Sequence, residues 1–165
     1  MHEADLNEPL PFEPGSFDAA MSLDVVLHLR DRSKFFREVA RLLRPGGRFL
    51  FTDAGVVTGS VSGNEMRTRS IHGYTKVAPA GWNERLLAPA GLRLIETENR
   101  TMSVLKNASG RLAAMRAHRA ELEQIWSADE FKSQQDYLES VVELSRRGAI
   151  SRVLYLAEAL DRQDG

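Results

Sequence analysis

A strand, a helix and a second strand in close succession constrain the fold most strongly. Phe17–Leu23 combines apolar and small residues after a Pro-Gly-Ser turn and predicts a mostly buried strand. Apolar residues recur at helical spacing in Asp31–Leu43, and Arg44–Gly47 predicts a turn that ends this helix. Arg48–Thr52 then resumes as an apolar strand. Such a βαβ unit requires a right-handed crossover and a parallel strand pair, so the sequence predicts an α/β fold.

The remaining sequence adds helices and further strands to this unit. Ile150–Ala157 is rich in strand formers, and a strand and a terminal helix both remain open for it. We expect one domain over residues 1–165, with a helical insertion at 108–146 between the last two strands. The sequence predicts, in order, a small-residue loop at Gly55–Gly63, a helix at Trp82–Ala90, a strand at Leu92–Thr97 and helices at 108–126 and 128–146.

Composition excludes several classes of function. The 22 basic and 23 acidic side chains do not cluster by sign, which argues against nucleic acid or an anionic membrane as a partner. The absence of cysteine excludes disulfides, thiolate zinc sites and a cysteine nucleophile, and we expect no metal site. The acidic start does not resemble a signal peptide, and no apolar run reaches the ~20 residues of a membrane span. These features predict a soluble, cytoplasmic protein with a small-molecule partner.

Several stretches resemble class I S-adenosylmethionine-dependent methyltransferases. In "ADLNEPLPFEPGSFDAAMSLDVVLHL" an acidic residue precedes "LPF", and an "SFD" strand ends near a histidine. A helix closed by "RPGG" follows in "LLRPGGRFLFTD". "GWNERLLAPAGLRLIETENRT" and "RGAISRVLYLAEA" are similar to later portions of small-molecule members. The resemblance thus covers nearly the whole chain.

The resemblance implies a partial Rossmann-like sheet with flanking helices. The family order is three, two, one, four, five, seven, six, with strand seven antiparallel, and the four predicted strands correspond to four, five, six and seven. The sequence contains no GxG triplet to match the glycine-rich loop after strand one, and no counterpart of the acidic residue ending strand two. We therefore expect the chain to correspond to the C-terminal portion of a methyltransferase. A polypeptide of these residues alone is expected to bind the cofactor weakly.

The implied function is methyl transfer from S-adenosylmethionine to an oxygen or nitrogen of a small molecule. A second hypothesis is an inactive methyltransferase-like module that binds a protein. A nicotinamide-binding domain ranks last, because the sequence lacks G-x-G-x-x-G.

The resemblance also implies a set of cofactor-binding residues. Asp5 occupies the position whose carboxylate accepts a hydrogen bond from the adenine amino group, with the Leu6 amide nearby. Ser22 and Leu23 lie where the first strand ends, at the edge where open α/β sheets bind ligands. The alternatives are an acidic loop residue for Asp5 and a core residue for Leu23.

Asp24 and His28 are the candidate catalytic residues. They are four positions apart, so a helical turn would place them on one face, where the carboxylate could orient the imidazole. Imidazole can accept a proton near neutral pH, which suits a general base for an N–H or O–H acceptor. The alternative is a helix-capping Asp24 with a structural His28.

Aromatic and charged residues supply the candidate substrate contacts. His72, Tyr74 and Trp82 could form aromatic walls and a polar handle, and the alternative is ordinary packing of the same residues. Asp53 either faces the pocket or caps the loop after its strand. A further cluster either binds an acidic substrate or forms a solvated helix face: Arg111, Arg116, His118 and Arg119.

The first strand carries a prediction about assembly. If strands one to three are absent, Asp18–Ser22 presents unpaired backbone groups beside apolar surface. We therefore expect a homo-oligomer formed through this edge.

Overall fold

The computed structural model describes residues 3–70 and 73–161, which form one sheet with helices on its faces. Short 3₁₀ turns occupy Val26–His28 and Ala88–Ala90. The strands are β1 (Phe17–Leu23), β2 (Leu43–Val57), β3 (Ala78–Pro79), β4 (Leu92–Asn99) and β5 (Ile150–Ala159). The helices are α1 (Arg32–Leu42), α2 (Gly63–Arg69), α3 (Trp82–Leu87), α4 (Thr101–Ala117), α5 (Arg119–Leu122) and α6 (Ala128–Arg146).

The strand order is β1-β2-β5-β4, with the two-residue β3 paired to the end of β2. β1 and β2 are parallel, whereas β5 runs antiparallel to both of its neighbours. The predicted order of four, five, seven, six is therefore confirmed. The alternative of a terminal helix at Ile150–Ala157 is wrong, because this segment pairs on both sides and is a central strand.

Aromatic side chains form the centre of the core between α1 and the sheet. Asp31 caps α1 by accepting a hydrogen bond from the Lys34 amide at 3.0 Å. Phe36 of α1 is fully buried and packs on Phe51, and the Phe51 ring stacks on Tyr155 at 4.6 Å between centroids. This packing joins the helix to the parallel pair and to the antiparallel β5.

β2 is longer than the sequence predicts at both ends. It begins at Leu43 and includes the predicted turn Arg44–Gly47, which bulges from the ladder between the pairs Phe17–Leu43 and Ala19–Arg48. Gly46 has a φ of 77°, a value that favours glycine. β2 also continues through Gly55 to Val57, so the predicted loop starts later than expected. The structure adds α2, which a capping box between Ser62 and Glu65 begins.

A helical layer lies between β4 and β5 in the sequence. Its first helix, α4, begins at Thr101 and ends at Ala117, whereas the sequence predicted a helix over 108–126. α4 and α6 pack through their own apolar cluster around Leu112, Phe131 and Leu138. Among the helices of residues 3–70 and 73–161, none combines the length and apolar character that crossing a membrane requires.

Candidate functional site

A cavity of about 510 Å³ opens where β1 ends, beneath the helical layer. Its volume lies within the usual range for small-molecule pockets. The segment after β1, the helices α2, α4 and α6, and the strand β5 all contribute to its wall. The cavity thus lies at the carboxyl end of a parallel strand, where α/β sheets bind ligands. Its polar side chains include Asp24, His28, Arg69, Arg111 and Arg152.

Asp24 is held in a fixed position at the end of β1. Its φ of 54° is unusual for a residue other than glycine and turns the chain away from the strand direction. Its carboxylate accepts hydrogen bonds from Thr52 Oγ1 at 2.8 Å and from Arg152 Nε at 2.9 Å. The Asp24 amide in turn donates to Thr52 Oγ1 at 2.9 Å. This network connects β1, β2 and β5 at the edge of the cavity.

His28 has a different partner from the one that the sequence predicted. Its Nδ1 lies 2.9 Å from the carbonyl oxygen of Tyr74. Because a carbonyl can only accept, Nδ1 carries the hydrogen and Nε2 is left as an acceptor. Asp24 and His28 line the same cavity, but the expected orientation of His28 by the Asp24 carboxylate is corrected: the backbone of Tyr74 performs it.

A second cavity of about 380 Å³ lies beside β1 and is mainly apolar. Leu6, Ser22 and Leu23, three of the four predicted cofactor-binding residues, line it. The Ser22 hydroxyl is buried without a hydrogen-bond partner in the described part of the chain. Asp5 adjoins this cavity in sequence, and its carboxylate accepts from the Asn7 amide at 2.9 Å and the Asn7 side chain at 2.8 Å. These hydrogen bonds hold the pKa of Asp5 below its ordinary value.

Asp53 faces neither cavity. It is fully buried and accepts hydrogen bonds from Arg32 Nη1 at 2.5 Å, from Asn83 Nδ2 at 2.9 Å and from the Gly55 amide at 2.8 Å. Arg32 Nη1 also donates to Asn83 Oδ1 at 2.7 Å, and Arg32 Nη2 donates to the Lys76 carbonyl at 2.5 Å. Both roles considered for Asp53 are therefore corrected: it lies inside β2 rather than before a loop, and its carboxylate binds the buried side chains of Arg32 and Asn83. We name these three residues, Arg32, Asp53 and Asn83, the buried ion-pair cluster.

The predicted aromatic substrate residues are not brought together. His72 lies outside the described residues. Tyr74 exposes 55% of its surface and contributes its carbonyl to His28, while its neighbour Thr75 lines the large cavity. Trp82 lines a separate pocket of about 30 Å³ and lies under Lys76, with Nζ 5.6 Å from the centroid of the indole ring. The large cavity is therefore walled by other side chains.

Two cavity arginines, Arg69 and Arg152, were not anticipated from the sequence. Arg152 is the sole charged residue in "ISRVLYLA", and a charge within an otherwise apolar strand is a signal that could have identified it. Arg69 lies in α2, a helix that the sequence analysis missed. Of the predicted basic cluster, Arg111 alone lines the cavity among the described side chains.

Comparison with known proteins relates the chain to methyltransferases. The sequence model of a methyltransferase domain family matches residues 1–51. A dimethylglycine N-methyltransferase of Parasynechococcus marenigrum is 33% identical over 127 residues, which cover 74% of this chain and 44% of that protein. The chain therefore spans less than half the length of this curated relative.

Solved structures show the same fold. A putative sarcosine dimethylglycine methyltransferase from Galdieria sulphuraria gives a TM-score of 0.82 at 24% identity, over 97% of this chain and 59% of that one. A Haemonchus contortus phosphoethanolamine N-methyltransferase in complex with S-adenosyl-L-methionine gives a TM-score of 0.80 at 23% identity. The match covers 91% of this chain and 35% of that one. The sheet and its flanking helices thus have the Rossmann-like fold of these two structures.

Proposed function

We propose that this chain belongs to the class I S-adenosylmethionine-dependent methyltransferases and takes part in methyl transfer to an oxygen or nitrogen of a small molecule. The methyltransferase family model over residues 1–51 and the similarity to a dimethylglycine N-methyltransferase support this proposal. The observation that carries the proposal is the placement of Asp24 and His28 in a 510 Å³ cavity at the end of β1. The alternative of an inactive protein-binding module is not favoured, because the relatives reported above are named as enzymes. We further propose a single cytoplasmic domain in which 108–146 is an insertion.

The residues beside β1 fit an adenosyl cofactor. The unpartnered Ser22 hydroxyl can accept or donate a hydrogen bond, and Leu6 and Leu23 offer apolar surface to a planar base. The Asp5 carboxylate is ionised at neutral pH, as its ordinary pKa already requires, so it can accept a hydrogen bond from an exocyclic amino group; the lowered pKa extends this ionised state to more acidic pH. S-adenosylmethionine, when bound, supplies an electrophilic methyl group.

His28 would act on the acceptor in the neighbouring cavity. Its Nε2 is the nitrogen left to receive a proton from an acceptor O–H or N–H. The Tyr74 carbonyl fixes the tautomer, since it can accept a hydrogen only from Nδ1. The Asp24 carboxylate forms an ion pair with Arg152. Its role is therefore to hold the cavity wall in position rather than to orient His28. Methyl transfer also depends on alignment of the reactants and on the exclusion of water.

A transfer assay tests the proposed function. The protein is assayed with methyl-labelled S-adenosylmethionine and a panel of small amines, hydroxy acids and phenols. Both the 165-residue polypeptide and the form isolated from cells are used, because the chain spans only part of its relatives. We expect label transfer by the form isolated from cells. Failure of that form with every acceptor, despite cofactor binding, would favour the protein-binding alternative.

Asp5→Asn should weaken cofactor binding. The substitution keeps an acceptor oxygen but removes its charge, and a hydrogen bond to a charged group contributes about 1 kcal/mol more than a neutral one, so the dissociation constant for S-adenosylhomocysteine should rise roughly 5-fold. Titration calorimetry measures this change. Asp18→Asn is the matched control, because Asp18 is an exposed carboxylate paired with Arg44. Equal affinities for the Asp5 variant and the control would remove Asp5 from the cofactor site.

The edge of β1 supports the proposed homo-oligomer. Among the described residues, β1 pairs with β2 alone, which leaves its other edge open. Phe17, Met21 and Leu23 are exposed along this strand and line the 380 Å³ apolar cavity, so a second copy that pairs here would also cover that cavity. An open strand beside apolar surface is a template for pairing with a second copy.

Met21→Lys should dissociate this oligomer. Met21 exposes 71% of its surface, so a lysine there leaves the protomer intact while placing a charge in the interface. Sedimentation velocity at several concentrations should show a dimer or larger species for the 165-residue wild type and a monomer for the variant. Met102→Lys provides the control, since Met102 is 72% exposed but lies on α4. A monomeric wild type would contradict the proposal.

A further inference from the structure

The large cavity carries more positive than negative charge. Three arginines line it, Arg69, Arg111 and Arg152, together with one carboxylate, Asp24. Arg152 is neutralised by Asp24 through the 2.9 Å contact of its Nε. Arg69 and Arg111 make no ion pair with any residue in 3–70 and 73–161. Two guanidinium groups in the wall of a concave site therefore have no counter-ion from the described chain.

Arg69 is held in place while donors remain free. Its Nη1 donates to the Tyr137 hydroxyl at 3.1 Å and its Nη2 to the Ala54 carbonyl at 3.3 Å. The guanidinium also lies over the Tyr137 ring, 5.3 Å from the centroid. A guanidinium has five N–H donors, so these neutral contacts leave several unused and leave the charge uncompensated. A guanidinium that is already held in place and has no counter-ion is pre-organised to bind an anion, because binding costs little side-chain entropy.

Arg111 continues a polar stripe along α4. Ser103, Asn107 and Arg111 recur every four residues, lie on one face of the helix and all line the cavity. Two neighbouring arginines, in contrast, form ion pairs with carboxylates. Arg116 pairs with Glu139 and Arg119 with Glu123, both at 2.7 Å. Two cations of the helical layer outside the cavity thus have carboxylate partners, whereas Arg111 forms no ion pair with the described residues.

We propose that the methyl acceptor carries an oxyanion group, a carboxylate or a phosphate, which Arg69 and Arg111 bind. The identification of the bound anion as the methyl acceptor rests on the proposed methyl transfer. The existence of the anion site does not depend on that function. The planar guanidinium fork matches two oxygens of either group, and charge-assisted hydrogen bonds of this kind are among the strongest in proteins. The amide of Asn107 adds a neutral donor to the same wall.

A binding experiment tests the anion site independently of catalysis. The ¹⁵N-labelled chain is titrated with inorganic phosphate and, separately, with acetate, at constant ionic strength to hold screening constant. We expect saturable shifts of backbone amides around Arg69 and along Ser103–Arg111. A lower dissociation constant for phosphate than for acetate identifies a phosphorylated acceptor. A lower dissociation constant for acetate identifies a carboxylate. Neither cofactor nor turnover is needed, so an inactive preparation still reports on the site.

Arg111→Gln provides the decisive variant. Loss of one charge-assisted contact should weaken binding of the preferred anion about 10-fold or more. Arg111→Lys retains the charge but lacks the planar guanidinium, so its affinity for the anion should lie between those of Arg111→Gln and the wild type. Arg116→Gln is the control on the same helix and should bind like wild type. Thermal melting confirms that each variant is folded, which is expected because Arg111 is exposed on the helix surface.

Two results would overturn the inference. One is the absence of saturable shifts with both anions. The other is equal binding by Arg111→Gln and Arg116→Gln, which would reduce the effect to general surface charge. If the anion binds as expected but no labelled methyl group is transferred to any acceptor, the site stands and the proposed function fails. Transfer to neutral acceptors without anion binding leaves the function and removes the anion site.

Discussion

Asp53→Ala is expected to destabilise the fold by about 3–5 kcal/mol, because removing one member of a buried ion pair leaves the other charge without compensation. Arg32 exposes only 4% of its surface and donates to Asp53 and Asn83 within the buried ion-pair cluster. Such a loss is a large share of the roughly 5–15 kcal/mol that holds a typical protein folded. Urea denaturation followed by circular dichroism measures the free energy of unfolding.

Asp18→Ala is the control for this effect. Asp18 pairs with Arg44 at 2.7 Å, but both side chains are exposed, and such pairs contribute about 0–1 kcal/mol. The double variant Arg32→Met with Asp53→Ala should regain part of the lost stability, since no uncompensated charge remains buried. Equal destabilisation by Asp53→Ala and Asp18→Ala would show that the cluster contributes no more than a surface pair.

His28→Ala is expected to lower the rate of methyl transfer by roughly 100-fold or more, the usual range for loss of a general base. The affinity for S-adenosylhomocysteine should remain unchanged, because His28 lines the 510 Å³ cavity and not the cavity beside β1 in which we propose that the cofactor binds. Steady-state kinetics on the form of the protein that transfers methyl groups gives the change in kcat, and titration calorimetry gives the affinity. Added imidazole should restore part of the activity if a proton acceptor is what the variant lacks.

His118→Ala is the matched control for the histidine substitution. His118 is exposed, lies 3.1 Å from Glu121 and does not line the cavity. It should retain wild-type kinetics. If His28→Ala instead lowers the melting temperature together with both activity and cofactor affinity, the structural role considered for His28 is correct and the catalytic assignment is wrong.

The sheet was largely predictable because its signals are local. Phe17–Leu23 was predicted with the bounds that the structure gives to β1, since turn residues mark its start and its apolar character ends at Asp24. The predicted burial of this strand is wrong, because Ser22 is its one buried residue and the strand lies at the edge of the sheet. The order of the strands followed from the resemblance and is confirmed, including the antiparallel β5. Arg44–Gly47 was correctly identified as irregular, but the pairing of Leu43 before it could not be foreseen, because it depends on Phe17 in another strand.

The site was less predictable because its contacts are long-range. Asp24 and His28 are close in sequence, yet the positive φ of Asp24 and its attachment to Arg152, 128 positions away, separate their hydrogen bonds. The same holds for Asp53, whose partner Arg32 lies at the first position of α1 and has no distinctive neighbours in sequence. Hydrophobic periodicity in the sequence predicts helices and strands. Which charged side chains pair with one another depends on how those helices and strands pack together.

The central position of β5 also determines when the sheet can be completed during synthesis. β5 separates β2 from β4, and its pairing of Glu158 with Arg48 spans most of the chain. Until the ribosome has released this strand, β2 and β4 have an unfilled gap between them, and their backbone groups and apolar faces are open to other chains. Contacts of such sequence separation form slowly, because loop closure costs entropy before pairing compensates for it. Early packing of α1 against β1 and β2 would shorten the time for which these surfaces are exposed to aggregation.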